Sequence, residues 1–178
     1  LFNNVALLAG GTVVEADEHE WDRIMEVNVK SMMLTSKYAV PCMISTGGGS
    51  IINVSSVEAL RSGANHLVAY SVSKGAIVTL TTAMAVQHGR ENVRVNCIAP
   101  GYLYTPLVTG GRWGFMSDEV RERRRHSAPL GVEGTAWDIS WAAAFLASEE
   151  ARWITGTVLP VDAGLIATVP PAMLQYLK

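Results

Sequence analysis

The chain has 178 residues, 49% of them hydrophobic, and a formal net charge of −2. That length supports one domain with a substantial core, and the balanced charge argues against a nucleic-acid partner, which normally requires a basic excess. No apolar run approaches the ~18 residues needed to cross a bilayer, so no membrane partner is expected.

Cys42 and Cys97 are the only cysteines and have no metal-spaced neighbours. They read as buried thiols in a reducing cytoplasm rather than as a disulfide or a metal site. The start lacks a basic region followed by a small-residue cleavage site, so no signal peptide is read there. The first residue is Leu1 and not Met, and residues 1–9 read as an interior strand. A longer protein missing its N-terminal part is therefore expected.

Residues 4–9 (NVALLA) suit a buried strand. A helix is predicted from Asp17, where Asp17 and Glu20 form a D-x-x-E capping pattern. Trp21, Ile24, Met25, Asn28, Met32, Thr35 and Ala39 recur at helical spacing, and Pro41 should kink or end that helix. Gly47, Gly48 and Gly49 make a turn into a second strand over residues 50–56 (SIINVSS). Residues 69–87 form a second helix, apolar on nearly every face, which implies burial against the sheet on one side and another partner on the other.

Residues 93–99 (VRVNCIA) form a third strand, and residues 102–131 are irregular, rich in glycine and aromatics. Thr135 and Asp138 cap a further helix with an apolar stripe of Trp137, Trp141, Ala144 and Phe145. Residues 157–161 form the last strand, followed by Asp162, Ala163 and Gly164. Alternating strands and helices imply a parallel sheet, and four near-continuous apolar strands imply that both its faces are covered.

The chemistry centres on Tyr70 and Lys74, which are four residues apart and so share one helix face. A free tyrosine has a pKa near ~10 and is a poor base. A neighbouring ammonium and the positive end of the helix macrodipole would each favour the phenolate. Bringing that pKa down toward neutrality requires about 4 kcal/mol of differential stabilisation. Tyr-x-x-x-Lys alone is a common pairing, but the features around it come in a telling order. Asn28 lies in the preceding helix, Ser55 and Ser56 end a buried strand, and Pro100 and Gly101 end the next, with Thr105 beyond.

With Asn3-Asn4-Val5-Ala6, Asn28-Val29, Asn53-Val54-Ser55-Ser56, Tyr70-Ser71-Val72-Ser73-Lys74, Arg94-Val95-Asn96, Pro100-Gly101, Trp153-Ile154-Thr155-Gly156 and Val161-Asp162-Ala163-Gly164 in this order, the sequence resembles the short-chain dehydrogenase/reductase family. The resemblance implies an α/β fold, the C-terminal part of a Rossmann-type doubly wound parallel sheet. Residues 1–178 would be one partial domain. Residues 1–101 would hold the central strands and catalytic helix, residues 102–131 a substrate lid, and residues 132–178 the last helix, last strand and tail.

The implied catalytic tetrad is Asn28, Ser56, Tyr70 and Lys74. Tyr70 would be the general acid or base, and Ser56 would bond the same substrate oxygen. Lys74 would lower the Tyr70 pKa and hold the nicotinamide ribose. Asn28 would perturb its helix so that a backbone carbonyl holds a water linked to Lys74. Asn4, Val5 and Ala6 would line the adenosine side of the cofactor. Pro100, Gly101, Leu103 and Thr105 would meet the nicotinamide, together with Tyr70 and Lys74. Asn-Asn-Val-Ala departs from the family's usual Asn-Asn-Ala-Gly.

The sequence also lacks a G-x-G-x-x-G loop and the acidic residue ~20 positions beyond it. The family carries both upstream of the equivalent of Leu1, which leaves NAD and NADP undecided. The expected activity is interconversion of a secondary alcohol and a ketone, by a homodimer or homotetramer built on a four-helix contact. Rival readings are an inactive truncated fragment, a non-catalytic scaffold on the same fold, and an epimerase or dehydratase. No G-x-S-x-G elbow or His cluster supports a hydrolase or a metal enzyme. The RERRRH run over residues 121–126 reads as a solvated helix face rather than a phosphate site. Tyr102, Tyr104, Trp113, Phe115 and Met116 either line an apolar pocket or pin a loop, and His66 reads as a loop residue.

Overall fold

The computed structural model describes residues 1–62, 66–109 and 116–168. Trp113, Phe115, Gly110, Gly111, Gly114 and the tail from residue 169 lie outside the described residues.

Four strands form one parallel sheet in the order β1 (Phe2–Asn3), β2 (Gly49–Val54), β3 (Val93–Pro100) and β4 (Val158–Val161). The central pair carries the core. Alternate residues of a strand face opposite sides. Ile51 accordingly packs with Val40, Met84 and Val95 on the side of helices α2 (Ser31–Ser45) and α3 (Val68–His88), while Ile52 packs with Ile98, Ile139 and Leu146 on the side of α6 (Ala136–Ala147). Helices therefore cover both faces, as expected for this part of a Rossmann-type sheet. The outer strands are less enclosed than the apolar runs suggested: Phe2 is exposed, and β4 is only half-buried.

Residues 4–9 are not a strand. Pairing with β2 stops at Asn3, which lies opposite Asn53. The next stretch of chain bends away because the Asn28 side chain takes both backbone groups of Leu7. Ala9 then packs with Ile24 of α1 (Glu18–Met25) and with Ala69. Asp17 caps α1 by accepting from the Glu20 N–H at 2.9 Å, the pattern read from the sequence.

Pro41 does not end its helix, since α2 runs on to Ser45. The Lys37 carbonyl that loses an N–H partner to this proline is on an exposed turn, where water can replace it. The break comes earlier, at a π-helical segment over Glu26–Lys30, where the Ser31 N–H reaches back five residues to the Glu26 carbonyl.

The glycine turn into β2 is set by a close approach. Gly48 has φ +136°, and a Cβ there would fall 2.4 Å from the Asn92 side-chain nitrogen. Asn92, itself left-handed at φ 59°, closes the turn by donating to the Gly47 carbonyl at 2.8 Å.

The segment 102–131 is not wholly irregular. It contains α4 (Pro106–Thr109) and α5 (Asp118–His126), the latter capped by the Ser117 hydroxyl. Thr135 and Asp138 do cap α6: the Thr135 N–H and hydroxyl both donate to the Asp138 carboxylate, at 2.7 and 2.8 Å. The helix lies the other way up from the expected stripe. Trp137 and Trp141 are each 71% exposed, Ala144 and Phe145 also face outward, and Ile139, Ala142, Ala143 and Leu146 pack on the sheet.

Candidate functional site

The C-terminal ends of β2, β3 and β4 share one rim, where open α/β sheets bind ligands. Ser55 and Ser56 leave β2 there, Gly101 leaves β3 and Asp162 leaves β4. The Gly101 N–H donates to the Val161 carbonyl at 3.0 Å. A Cβ on Gly101 would sit 2.7 Å from the Asp162 Cα, so this junction requires a glycine. The Asp162 carboxylate in turn accepts from the Gly164 and Ile166 N–H groups and fixes the turn after β4.

Tyr70 lies in the first turn of α3, with the Ser56 side chain near enough to the phenol to favour its ionised form. Lys74, one turn further on, is 2% exposed. Its Nζ donates to the Val54 carbonyl at 2.9 Å and stands 5.5 Å from the Tyr70 ring centroid. The two serines diverge. The Ser55 hydroxyl donates to the Lys74 carbonyl at 2.7 Å and is sealed in the core. The Ser56 hydroxyl accepts from the Glu58 N–H at 3.2 Å and turns to Tyr70.

Asn28 occupies the middle of the π segment and is fully buried. Its Oδ1 accepts from the Leu7 N–H at 2.7 Å, and its Nδ2 donates to the Leu7 carbonyl and to the Ser73 hydroxyl, each at 3.0 Å. Ser73 donates to the Tyr70 carbonyl at 2.7 Å. Ser56, Tyr70 and Lys74 thus converge directly, and Asn28 joins them through Ser73, a relay the sequence reading missed. Its only signal in the sequence is a hydroxyl three residues after Tyr70, within reach of that carbonyl on a helix.

The ionisation pattern differs from the expected one. Burial pushes the Tyr70 phenol up from its ordinary value, the Ser56 hydrogen bond acts the other way, and the Glu58 carboxylate pushes it up again. Burial also brings the Lys74 ammonium down to about 8. For the phenol, desolvation outweighs the Ser56 hydrogen bond. Glu58 was not picked out from the sequence; it is buried beside Ser56 although nothing in its local pattern distinguishes it.

The other candidate positions border the same rim. Asn4 is exposed, Val5 is 72% exposed, and Ala6 is half-buried in the loop after β1. Pro100 and Gly101 end β3. Leu103 bridges to Gly134 and packs its side chain into the core beside α6. Thr105 opens α4, its carbonyl accepting from the Val108 N–H at 2.9 Å. His66 is exposed. Among the described residues, no group of three His, Cys, Asp or Glu side chains could hold a metal, and no helix is long and apolar enough to cross a membrane.

Residues 1–166 match the family model described as enoyl-(acyl carrier protein) reductase. The 2-(S)-hydroxypropyl-CoM dehydrogenase 3 of Xanthobacter autotrophicus is 42% identical over 171 residues, covering 94% of this chain and 66% of that protein. The meso-2,3-butanediol dehydrogenase of Serratia marcescens is 35% identical, covering 94% and 64%. A crystal structure of gluconate 5-dehydrogenase from Burkholderia cenocepacia, in complex with NADP and tartrate, superposes with a TM-score of 0.87 at 27% identity, over 94% of this chain and 64% of that one. The chain thus spans just under two thirds of the length of these relatives. With the order of strands, the rim geometry and the match over residues 1–166 all in agreement, the chain belongs to the short-chain dehydrogenase/reductase family.

Proposed function

We propose that the protein carrying this chain is an oxidoreductase that interconverts a secondary alcohol and a ketone using NAD or NADP, with Tyr70 as general acid/base. The observation that carries the reading is the convergence of Ser56, Tyr70 and a buried Lys74 on the ligand-binding rim. The Lys74 ammonium has three N–H donors and, among the described residues, one hydrogen-bond acceptor, the Val54 carbonyl. Two donors remain in a site closed to solvent, which fits the vicinal hydroxyls of a nicotinamide ribose. When bound, the cofactor supplies or accepts the hydride.

The rest falls to the chain. Ser56 donates a hydrogen bond to the substrate oxygen and holds it against Tyr70. In reduction, the phenol proton passes to that oxygen as it gains negative charge; in oxidation, the phenolate removes the hydroxyl proton. Because burial holds the phenol in its protonated form, Tyr70 is poised as the acid at neutral pH, and oxidation should accelerate as the pH rises. Asn28 holds the Tyr70 turn in place through Ser73 and the Leu7 peptide. Asn4, Val5 and Ala6 would follow the adenosine side, and Pro100, Gly101, Leu103 and Thr105 the nicotinamide side.

The outward faces of α2 and α3, with Met33, Leu34, Tyr38, Val72 and Val86 exposed, support assembly as a homodimer or homotetramer. The test is Tyr70→Phe in the protein. Turnover with either cofactor should fall by ~10²–10⁴-fold while thermal stability is kept. Wild-type turnover by that variant would refute the mechanism.

A further inference from the structure

The arginine run on α5 does not behave as one solvated face. Arg123 points outward, its side chain 67% exposed, with only a loose 3.9 Å approach to Glu119. Arg121, Arg124 and Arg125 instead line a shallow, open cleft together with Tyr102, Tyr104 and Glu133. Arg121 is committed: its guanidinium forks onto the Glu133 carboxylate and lies 4.1 Å over the Tyr104 ring.

Arg124 is not committed. Its guanidinium stacks 4.7 Å over the Tyr102 ring, and its one hydrogen bond is a long 3.5 Å contact to the Leu103 carbonyl. No carboxylate among the described residues is within salt-bridge distance of it. Arg125 pairs one terminal nitrogen with Glu122 at 3.1 Å, and its Nε is buried with no acceptor.

Around the cleft three guanidinium groups face one lining carboxylate. A partly buried cation without a counter-charge is costly, and a buried N–H without an acceptor adds to that cost. Stacking on a tyrosine meanwhile fixes the plane of the fork, which suits two-point recognition of a carboxylate. The place is also informative. Tyr102 comes two residues after Pro100, on the same C-terminal rim to which β2 delivers Ser56. Burial pulls the Arg124 pKa down, and Tyr102 and Glu133 offset that only in part.

We propose that Arg124, assisted by the free Nε–H of Arg125, binds a carboxylate at the end of the substrate remote from the reacting hydroxyl. The word substrate rests on the function proposed above; the anion site itself does not. It would make the substrate class a hydroxy acid or oxo acid.

The test uses ¹⁵N-labelled protein and the arginine Nε–Hε resonances, with propionate as probe and propionamide as its neutral counterpart at equal ionic strength. Propionate should shift the Arg124 and Arg125 signals to saturation, and propionamide should not. Arg124→Met should weaken the response at least about tenfold, and Arg124→Lys, which keeps the charge but not the fork, should also weaken it. Arg123→Met should leave it unchanged. An equal response to chloride, or an undiminished response in both Arg124 variants, would overturn the site. Displacement of propionate by NADPH would assign the arginines to cofactor phosphate and would overturn it too. Tyr70→Phe should bind propionate like wild type, so failure of the catalytic reading and failure of this one are read separately.

Discussion

Lys74→Met should make the protein more stable while removing its activity. Lys74 is 2% exposed, and burial brings its ammonium from an ordinary 10.5 to about 8. A difference of that size corresponds to about 3 kcal/mol working against folding at pH 7. Methionine keeps the length of the stem, fills irregular space and is a good helix former. Against the gain stands the hydrogen bond to Val54, whose carbonyl would lose its partner, at about 1–2 kcal/mol. The net expectation is a gain of about 1–2 kcal/mol.

The pH dependence gives a second reading. Between about 8 and 10.5 the folded lysine holds fewer protons than the unfolded one. Wild type should therefore recover stability in that window by up to about 1.4 kcal/mol per pH unit, and the methionine variant should not. The buried Cys97 thiol, raised from 9.0 to about 11, loses stability over its own window as pH rises, and the raised Tyr70 phenol acts likewise at higher pH. The Tyr70 contribution is common to both proteins, whereas the Lys74 ammonium itself holds the Cys97 thiol down, so the difference between variants reads Lys74 together with its coupling to Cys97. Urea unfolding followed by tryptophan fluorescence at pH 7, 8, 9 and 10 measures it. A Met variant less stable by more than about 2 kcal/mol at pH 7, with a difference that does not change with pH, would refute the reasoning.

Asn28→Ala removes three hydrogen bonds of a fully buried side chain at once and should cost about 2–4 kcal/mol, read as a lowered denaturation midpoint; a loss below about 1 kcal/mol would mean that Leu7 finds other partners. The adjacent serines should separate: Ser55→Ala loses its bond to the Lys74 carbonyl and costs about 1 kcal/mol of stability, whereas Ser56→Ala lowers turnover and moves the alkaline limb of the oxidation rate to higher pH. Interchanged effects would reverse the assignment. Sedimentation at micromolar concentration should show no dominant monomer, and Tyr38→Glu on the exposed face of α2 should shift the distribution toward monomer; a clean monomer in wild type would remove the proposed assembly.

Much of the site could be read from the sequence because its members sit at short, fixed spacings on predictable elements. Tyr70 and Lys74 share a face on any helix, and Ser55 and Ser56 had to end a strand. The two serines differ in the structure, where one is bonded to α3 and the other lies by the phenol. Desolvation was not legible: neighbours can be listed from a sequence, but the water lost around Tyr70 cannot, and it reversed the direction expected for the phenol. Residues 4–9 misled because their composition suits a strand while a side chain 21 positions away captures the Leu7 peptide. The stripe on α6 showed which residues share a face, but periodicity does not say which face meets the sheet. The arginines of α5 divided only once Tyr102, Tyr104 and Glu133 were placed beside them.

The π segment between α1 and α2 acts as a phase shifter. Inserting a single residue into a helical path rotates everything before it by about 100° relative to everything after it. α1 can therefore turn Trp21 and Ile24 toward Ala9 and Ala69, while α2, almost continuous with it, turns Met32 toward Ile77 and Cys97. A regular α-helix through Glu26–Lys30 could not satisfy both surfaces. Deleting Val27 should restore regular winding, swing Asn28 off the Leu7 peptide and leave one of the two helices facing the wrong neighbour. A one-residue deletion there should accordingly be far more damaging than Asn28→Ala itself, although the chain loses only a half-buried valine.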